Sequence, residues 1–161
     1  MNRPYIKLWH FVLEILGFVL ILASLIYAIY LAVTVKEPVP VRIEFDGTVT
    51  DYGSASFVLF MPITMLLTNV LLFCVLHFSN PAKWNNLVKV TPANAPYIHM
   101  DESELFAEIE ALFGVYTLFF TLTFLTNTQF DLWGTIVMVV VLFVLCGVNI
   151  AKTFKHGKIT G

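Results

Sequence analysis

Four apolar runs, at residues 11–35, 56–78, 105–127 and 132–151, constrain this chain more than anything else in it. Each reaches the roughly 20 residues that a helix needs to cross bilayer hydrocarbon. Formal charges within them are confined to Glu14, Glu108 and Glu110, close to their ends. The whole chain agrees: 58% of its 161 residues are hydrophobic and 12% charged, with a mean hydropathy of +0.83. Soluble domains average about 45–50% apolar and about 25% charged residues. The predicted fold class is therefore an all-α membrane protein, a single domain over 1–161 with four transmembrane helices. The first run exceeds the usual signal-peptide core and no small-x-small cleavage site follows it, so it is expected to stay as an anchor.

Orientation follows from Lys and Arg. Arg3 and Lys7 precede the first run, Lys83 and Lys89 lie in the second connection, and Lys152, Lys155 and Lys158 follow the last run. The first connection holds only Lys36 and Arg42, and the third none. Both termini and the loop 79–104 are expected in the cytoplasm, which places residues 39–55 outside. The expected location is a membrane crossed several times, with the lipid bilayer as first partner. Cys74 and Cys146 fall inside apolar runs, where cysteine behaves as a small hydrophobe, and no disulfide is expected. A net charge of −2 without a basic run excludes nucleic acid as a partner.

Between the first two runs, PVPVRIEFDGTVTDYGS alternates apolar and polar residues around Asp46-Gly47, a type I′ hairpin signal. A two-residue turn there would place Phe45 opposite Thr48, Ile43 opposite Thr50, Arg42 opposite Asp51 and Val41 opposite Tyr52. Val41, Ile43, Phe45 and Tyr52 would share one face, and Arg42, Glu44 and Asp51 the other. An isolated hairpin is marginal in water, so the apolar face is expected to lean on the helix ends. The candidate outer surface is Arg42, Phe45, Asp46, Gly47, Asp51 and Tyr52.

This stretch resembles the outer loop of small bacterial membrane proteins that share the uncharacterised N-terminal domain of the Sdp-toxin immunity protein family. That loop reads approximately I-P-x-H-F-N-x-x-G-x-x-D-x-Y-G-S-K, and Pro40, Gly47, Tyr52, Gly53 and Ser54 fall in place. Arg42 stands where the family has His, Glu44 where it has Asn, Ala55 where it has Lys, and the Asp is displaced by one to Asp51. The later stretch NPAKWNNLVKVTPANAPY resembles P-x-x-F-N-Y-P-V-x-I-T-x-x-N-A, with Pro81, Trp84, Asn85, Val88, Val90, Thr91, Asn94 and Ala95 in register. LEILG in the first run is also similar to relatives. Together these cover about the first hundred residues, and MDESELFAEIE departs from the basic segment usual there. The resemblance implies a multi-pass location in the bacterial cytoplasmic (inner) membrane and a role in immunity or signalling, although the family's best-known member is longer and carries a further C-terminal membrane segment.

Within the runs, Glu14 lies about a turn inside the first helix, where interfacial anchoring is the simpler reading and an ion path the sharper one. Asn69 is the deepest strongly polar residue, suited to interhelical hydrogen bonding or to ligand coordination. Asn149 falls at a depth similar to Glu14, within reach of a bond to it. Gly114, Thr117 and Thr121 recur at helical spacing and offer a close-packing face. In the second connection, Trp84, Asn85, Thr91 and Asn94 form the motif. Thr91-Pro92 reads as a cap with a first-turn proline, before a short helix that Pro96 interrupts. Asp101 and Glu104 read as a second capping pattern opening the third helix. Glu102, Glu104, Glu108 and Glu110 read as an acidic, solvated helix end.

His10, His77, His99 and His156 have no metal-ligand spacing, and no nucleophile–base pair, HExxH helix or phosphate loop occurs. Neither enzyme activity nor a cofactor is expected. Two function classes remain: recognition of a peptide ligand, as in immunity, and service as an accessory subunit of a larger membrane protein complex. A homo-oligomer is compatible with both. A transporter would need a polar midplane site or paired helix breaks, and one Asn does not supply it.

Overall fold

The computed structural model describes residues 4–44, 48–81, 84, 87–125 and 128–159. Its elements are α1 (Leu8–Thr34), β1 (Val39–Ile43), β2 (Val49–Gly53), a 3-10 turn (Ala55–Leu59), α2 (Phe60–Phe78), α3 (Ala95–Thr123) and α4 (Thr128–Gly157). Four helical stretches, Leu8–Thr34, Ala55–Phe78, Ala95–Thr123 and Leu132–Gly157, are long and apolar enough to cross a bilayer.

The centre of the molecule is the pairing of α1 with α3. The buried residues of α1 are His10, Glu14, Gly17, Ile21, Ser24, Ala28 and Leu31, spaced alternately by four and three. Ser103, Ala107, Glu110, Gly114, Thr117 and Thr121 repeat the same spacing along α3. A 3.5-residue repeat keeps one stripe of each helix facing the other. Most of the stripe is small, as close helix approach without a hydrophobic driving force requires. The closest approach is glycine on glycine: a Cβ on Gly114 would lie 2.7 Å from Gly17 Cα, and one on Gly17 would run into the carbonyl of Glu110. Ser24, Thr117 and Thr121 turn their hydroxyls back to carbonyls four residues earlier, at 2.7, 2.6 and 2.7 Å. They therefore add polar atoms to the seam without leaving them unsatisfied. At the far end Ala28, Leu31 and Val58 form an apolar cluster, packed on by Phe124. Gly17 beside Gly114 and Ala28 near Phe124 make α1 and α3 parallel.

β1 and β2 pair antiparallel in register Val39↔Gly53, Pro40↔Tyr52, Arg42↔Asp51 and Ile43↔Val49, with irregularities on either side of Arg42. The Arg42–Asp51 pairing is the one expected from the sequence. Tyr52 lies opposite Pro40, not Val41, and Ile43 opposite Val49, not Thr50. The physical reason is local: Val41 on β1 and Thr50 on β2 are each an extra residue beside the Arg42–Asp51 pair, and bulges there shift the register on either side. Glu44 N–H donates to Thr48 O at 2.9 Å. The turn assigned to Asp46-Gly47 lies outside the described residues. Val41 Cγ1 and the Phe57 ring close over Gly53, leaving no room for a larger residue.

The third helix departs most from expectation. It starts at Ala95, ten residues before the apolar run, and continues unbroken through Asp101 and Glu104. Pro96 does not interrupt it, because a proline in the first turn removes an N–H that has no helical partner anyway. Asp101 and Glu104 are interior residues of the helix and not its cap. α4 begins at Thr128, four residues before the expected boundary, and lies antiparallel to α3, with Tyr116 Oη 2.8 Å from Thr135 Oγ1 and Lys152 Nζ 2.6 Å from Glu104 Oε1.

Candidate functional site

The polar residues of the helices gather toward the end of the bundle that carries the 79–94 loop. Glu14 is 2% exposed, and its Oε2 lies 2.8 Å from His77 Nε2 on α2. Asn69, also on α2, donates from Nδ2 to the backbone carbonyl of Glu110 on α3 at 3.1 Å. One cluster thus joins α1, α2 and α3 at the level of the glycine contact. Glu14 was expected to reach the interface, whereas its position on the 4-3 stripe turns it inward. Asn149 does not bond to Glu14. It donates from Nδ2 to the backbone carbonyl of Asp101, because α4 packs on the opposite side of α3.

Glu110 is the residue that sequence reasoning missed. As part of an acidic helix end it was expected in water, yet it is fully buried against α1. The signal was its position four residues before Gly114 on the stripe that continues to Thr117 and Thr121. His77, expected near the interface without a role, is the partner of Glu14.

Nearer the loop end, α4 is clamped to α3 by two polar side-chain pairs. Lys152 bonds to Glu104, and His156 Nδ1 lies 2.6 Å from Asp101 Oδ2. The loop motif is structural in this frame. Asn94, 1% exposed, takes a hydrogen bond from Thr91 N–H at 2.7 Å and gives one to Lys89 O at 3.1 Å. Thr91 Oγ1 accepts in return from Asn94 N–H at 3.4 Å, closing a capping box one turn before α3. Trp84 donates to Ser79 Oγ at 2.6 Å and packs edge-on to Tyr5, His99 and Phe106. A cavity of about 290 Å³ lies beside it, lined by Trp84, Glu102, Cys146, Asn149 and Thr153 among others. Asn85 lies outside the described residues.

At the opposite end the hairpin presents its polar residues outward. Arg42 makes a 3.9 Å ion pair with Glu44, not with Asp51, and both partners are well exposed, so it contributes little. Asp51 Oδ1 instead accepts from Tyr52 N–H at 2.9 Å. The Tyr52 ring, placed on the inward face by the sequence reading, is 61% exposed, since the bulge at Val41 changes its register. Phe45, Asp46 and Gly47 lie outside the described residues.

Among the described residues, no group of three or more His, Cys, Asp or Glu gathers as a metal site would require. Cys74 and Cys146 are free thiols, Cys74 on the outer surface of α2. Comparison with protein-family models, curated proteins and solved structures finds no match for this chain.

Proposed function

We propose that this is a non-enzymatic, multi-pass protein of the bacterial cytoplasmic membrane, of the immunity or peptide-recognition type. In this reading both termini and the 79–94 loop face the cytoplasm, and the hairpin meets a peptide outside. The observation that carries it is the hairpin's seating. Val39 is buried and Val41 and Phe57 close over Gly53, while Arg42, Glu44, Asp51 and Tyr52 are left to solvent. The fold thereby holds a polar and aromatic surface in one place without using those side chains for its own packing. The resemblance to the Sdp-toxin immunity family supports the same reading. The test is survival of sensitive cells expressing the protein when challenged with Sdp toxin. The native chain should protect, and the combined Arg42→Ala and Tyr52→Ala variant should not. Equal survival of both, with the variant present in the membrane at native level, would refute it.

An accessory-subunit reading is favoured by α4, which buries little of its surface and turns Trp133, Val137, Val140, Phe143 and Val144 outward. Gentle extraction through a C-terminal tag decides: a stoichiometric second protein supports this reading, a lone chain the first.

A further inference from the structure

Close packing does not require a carboxylate in the α1–α3 seam. Glu110 is 0% exposed, and neither its Oε1 nor its Oε2 has a hydrogen-bond partner. Glu14 Oε1 and Asn69 Oδ1, each in a side chain at most 2% exposed, are unpartnered as well. All four atoms are acceptors. The donors within the cluster are already engaged: Asn69 Nδ2 donates to Glu110 O, and His77 Nε2 meets Glu14 Oε2. A buried acceptor without a donor is costly, and a buried carboxylate more so. What this cluster lacks is hydrogen. A metal ion fits less well, since no three His, Cys, Asp or Glu side chains converge among the described residues.

The surroundings define the charges involved. Glu14 on α1 is within electrostatic reach of Glu110, and His77 on α2 acts on Glu14. His10, one turn before Glu14, leaves Nε2 unpartnered but is acted on by Glu104 and Lys7. Lys152 and His156 of α4 are engaged with Glu104 and Asp101 nearer the loop end. Of the Glu14–His77 pair, His77 is the member that meets the surroundings, with its side chain 17% exposed.

We propose that Glu110, Glu14 and His77 form an intramembrane proton-binding site, with His77 as its port and Glu110 as its innermost acceptor. Across the 2.8 Å contact a proton passes from His77 Nε2 to Glu14 Oε2. The N–H bond breaks as the O–H bond forms, and an imidazolium–carboxylate pair becomes neutral imidazole and carboxylic acid. Glu110 binds a proton of its own, which removes one of two like charges from the seam. The site is independent of the peptide-recognition reading, because no hairpin residue takes part.

The test is infrared difference spectroscopy of the full chain in lipid nanodiscs on changing pH. The expected spectrum holds a carboxylic acid C=O band that shifts in D2O. Glu110→Gln should remove one component and Glu14→Gln another, and Glu37→Gln, in the exposed segment after α1, neither. Absence of the band from the native protein overturns the proposal and needs no variant to fold. So does a band unchanged in both Gln variants, or one that disappears when sodium replaces choline, which would assign the site to a metal cation.

Discussion

Gly114 and Gly17 set how near α1 and α3 can come, and neither can gain a methyl group without moving backbone. We expect Gly114→Val to destabilise the bundle by about 3 kcal/mol, the upper part of the range for overpacking, because the obstructing atom is Gly17 Cα at 2.7 Å from the new Cβ and not a side chain that can swing away. Unfolding in mixed detergent micelles measures this, and a change below about 1 kcal/mol would mean the helices separate easily. The stripe containing Gly114, Thr117 and Thr121 was legible from spacing alone. Glu110 was not, because an acidic residue near the end of an apolar run is more often solvated than buried. Only its phase on the stripe distinguished it from Glu108, and the companion stripe on α1 had to be recognised for that phase to have meaning.

Between elements, the α3–α4 contact offers two polar side-chain links of different burial. Lys152 is 37% exposed at its side chain, whereas the side chain of Asp101 is 2% exposed and holds His156. Lys152→Ala should therefore cost at most about 1 kcal/mol, and the loss should shrink in high salt. Asp101→Ala should cost roughly 1–3 kcal/mol, as expected for a buried hydrogen-bonding group, with little salt dependence. Thermal melts of both variants at low and high salt check the order, and a larger loss for Lys152→Ala would contradict it. Helix existence was plain from the apolar runs, but the first turns of α3 were hidden. Asp101, Glu102 and Glu104 lower hydropathy there while leaving helix formation intact. The hairpin was likewise legible from alternation, but its bulge was not, since nothing in VRI distinguishes an extra residue from a paired one.

On the scale of the whole molecule, the prediction concerns orientation. In a chain with Cys74→Ala and Cys146→Ala, a cysteine at exposed Thr50 should react with an impermeant maleimide added to whole cells. One at exposed Lys158 should react only after the membrane is opened. Reaction of Lys158→Cys in intact cells would invert the arrangement that the Lys and Arg distribution implies. Sequence could suggest this orientation because it depends on loop charge. It could not reveal that the first and third helices, not consecutive ones, form the central pair, since that depends on matching stripes about ninety residues apart.

That parallel pairing has a consequence for biogenesis. In the proposed membrane arrangement Glu14 enters the bilayer while α3 is still unsynthesised, so the seam that encloses it is absent when its helix is inserted. His77, at the end of α2, is the first partner to emerge from the ribosome, and the helical hairpin of α1 and α2 can give Glu14 a polar partner before Glu110 arrives. Assembly in that arrangement has two stages: α1 and α2 settle first, linked by the Glu14–His77 contact, and α3 brings its small-residue stripe against α1 afterwards.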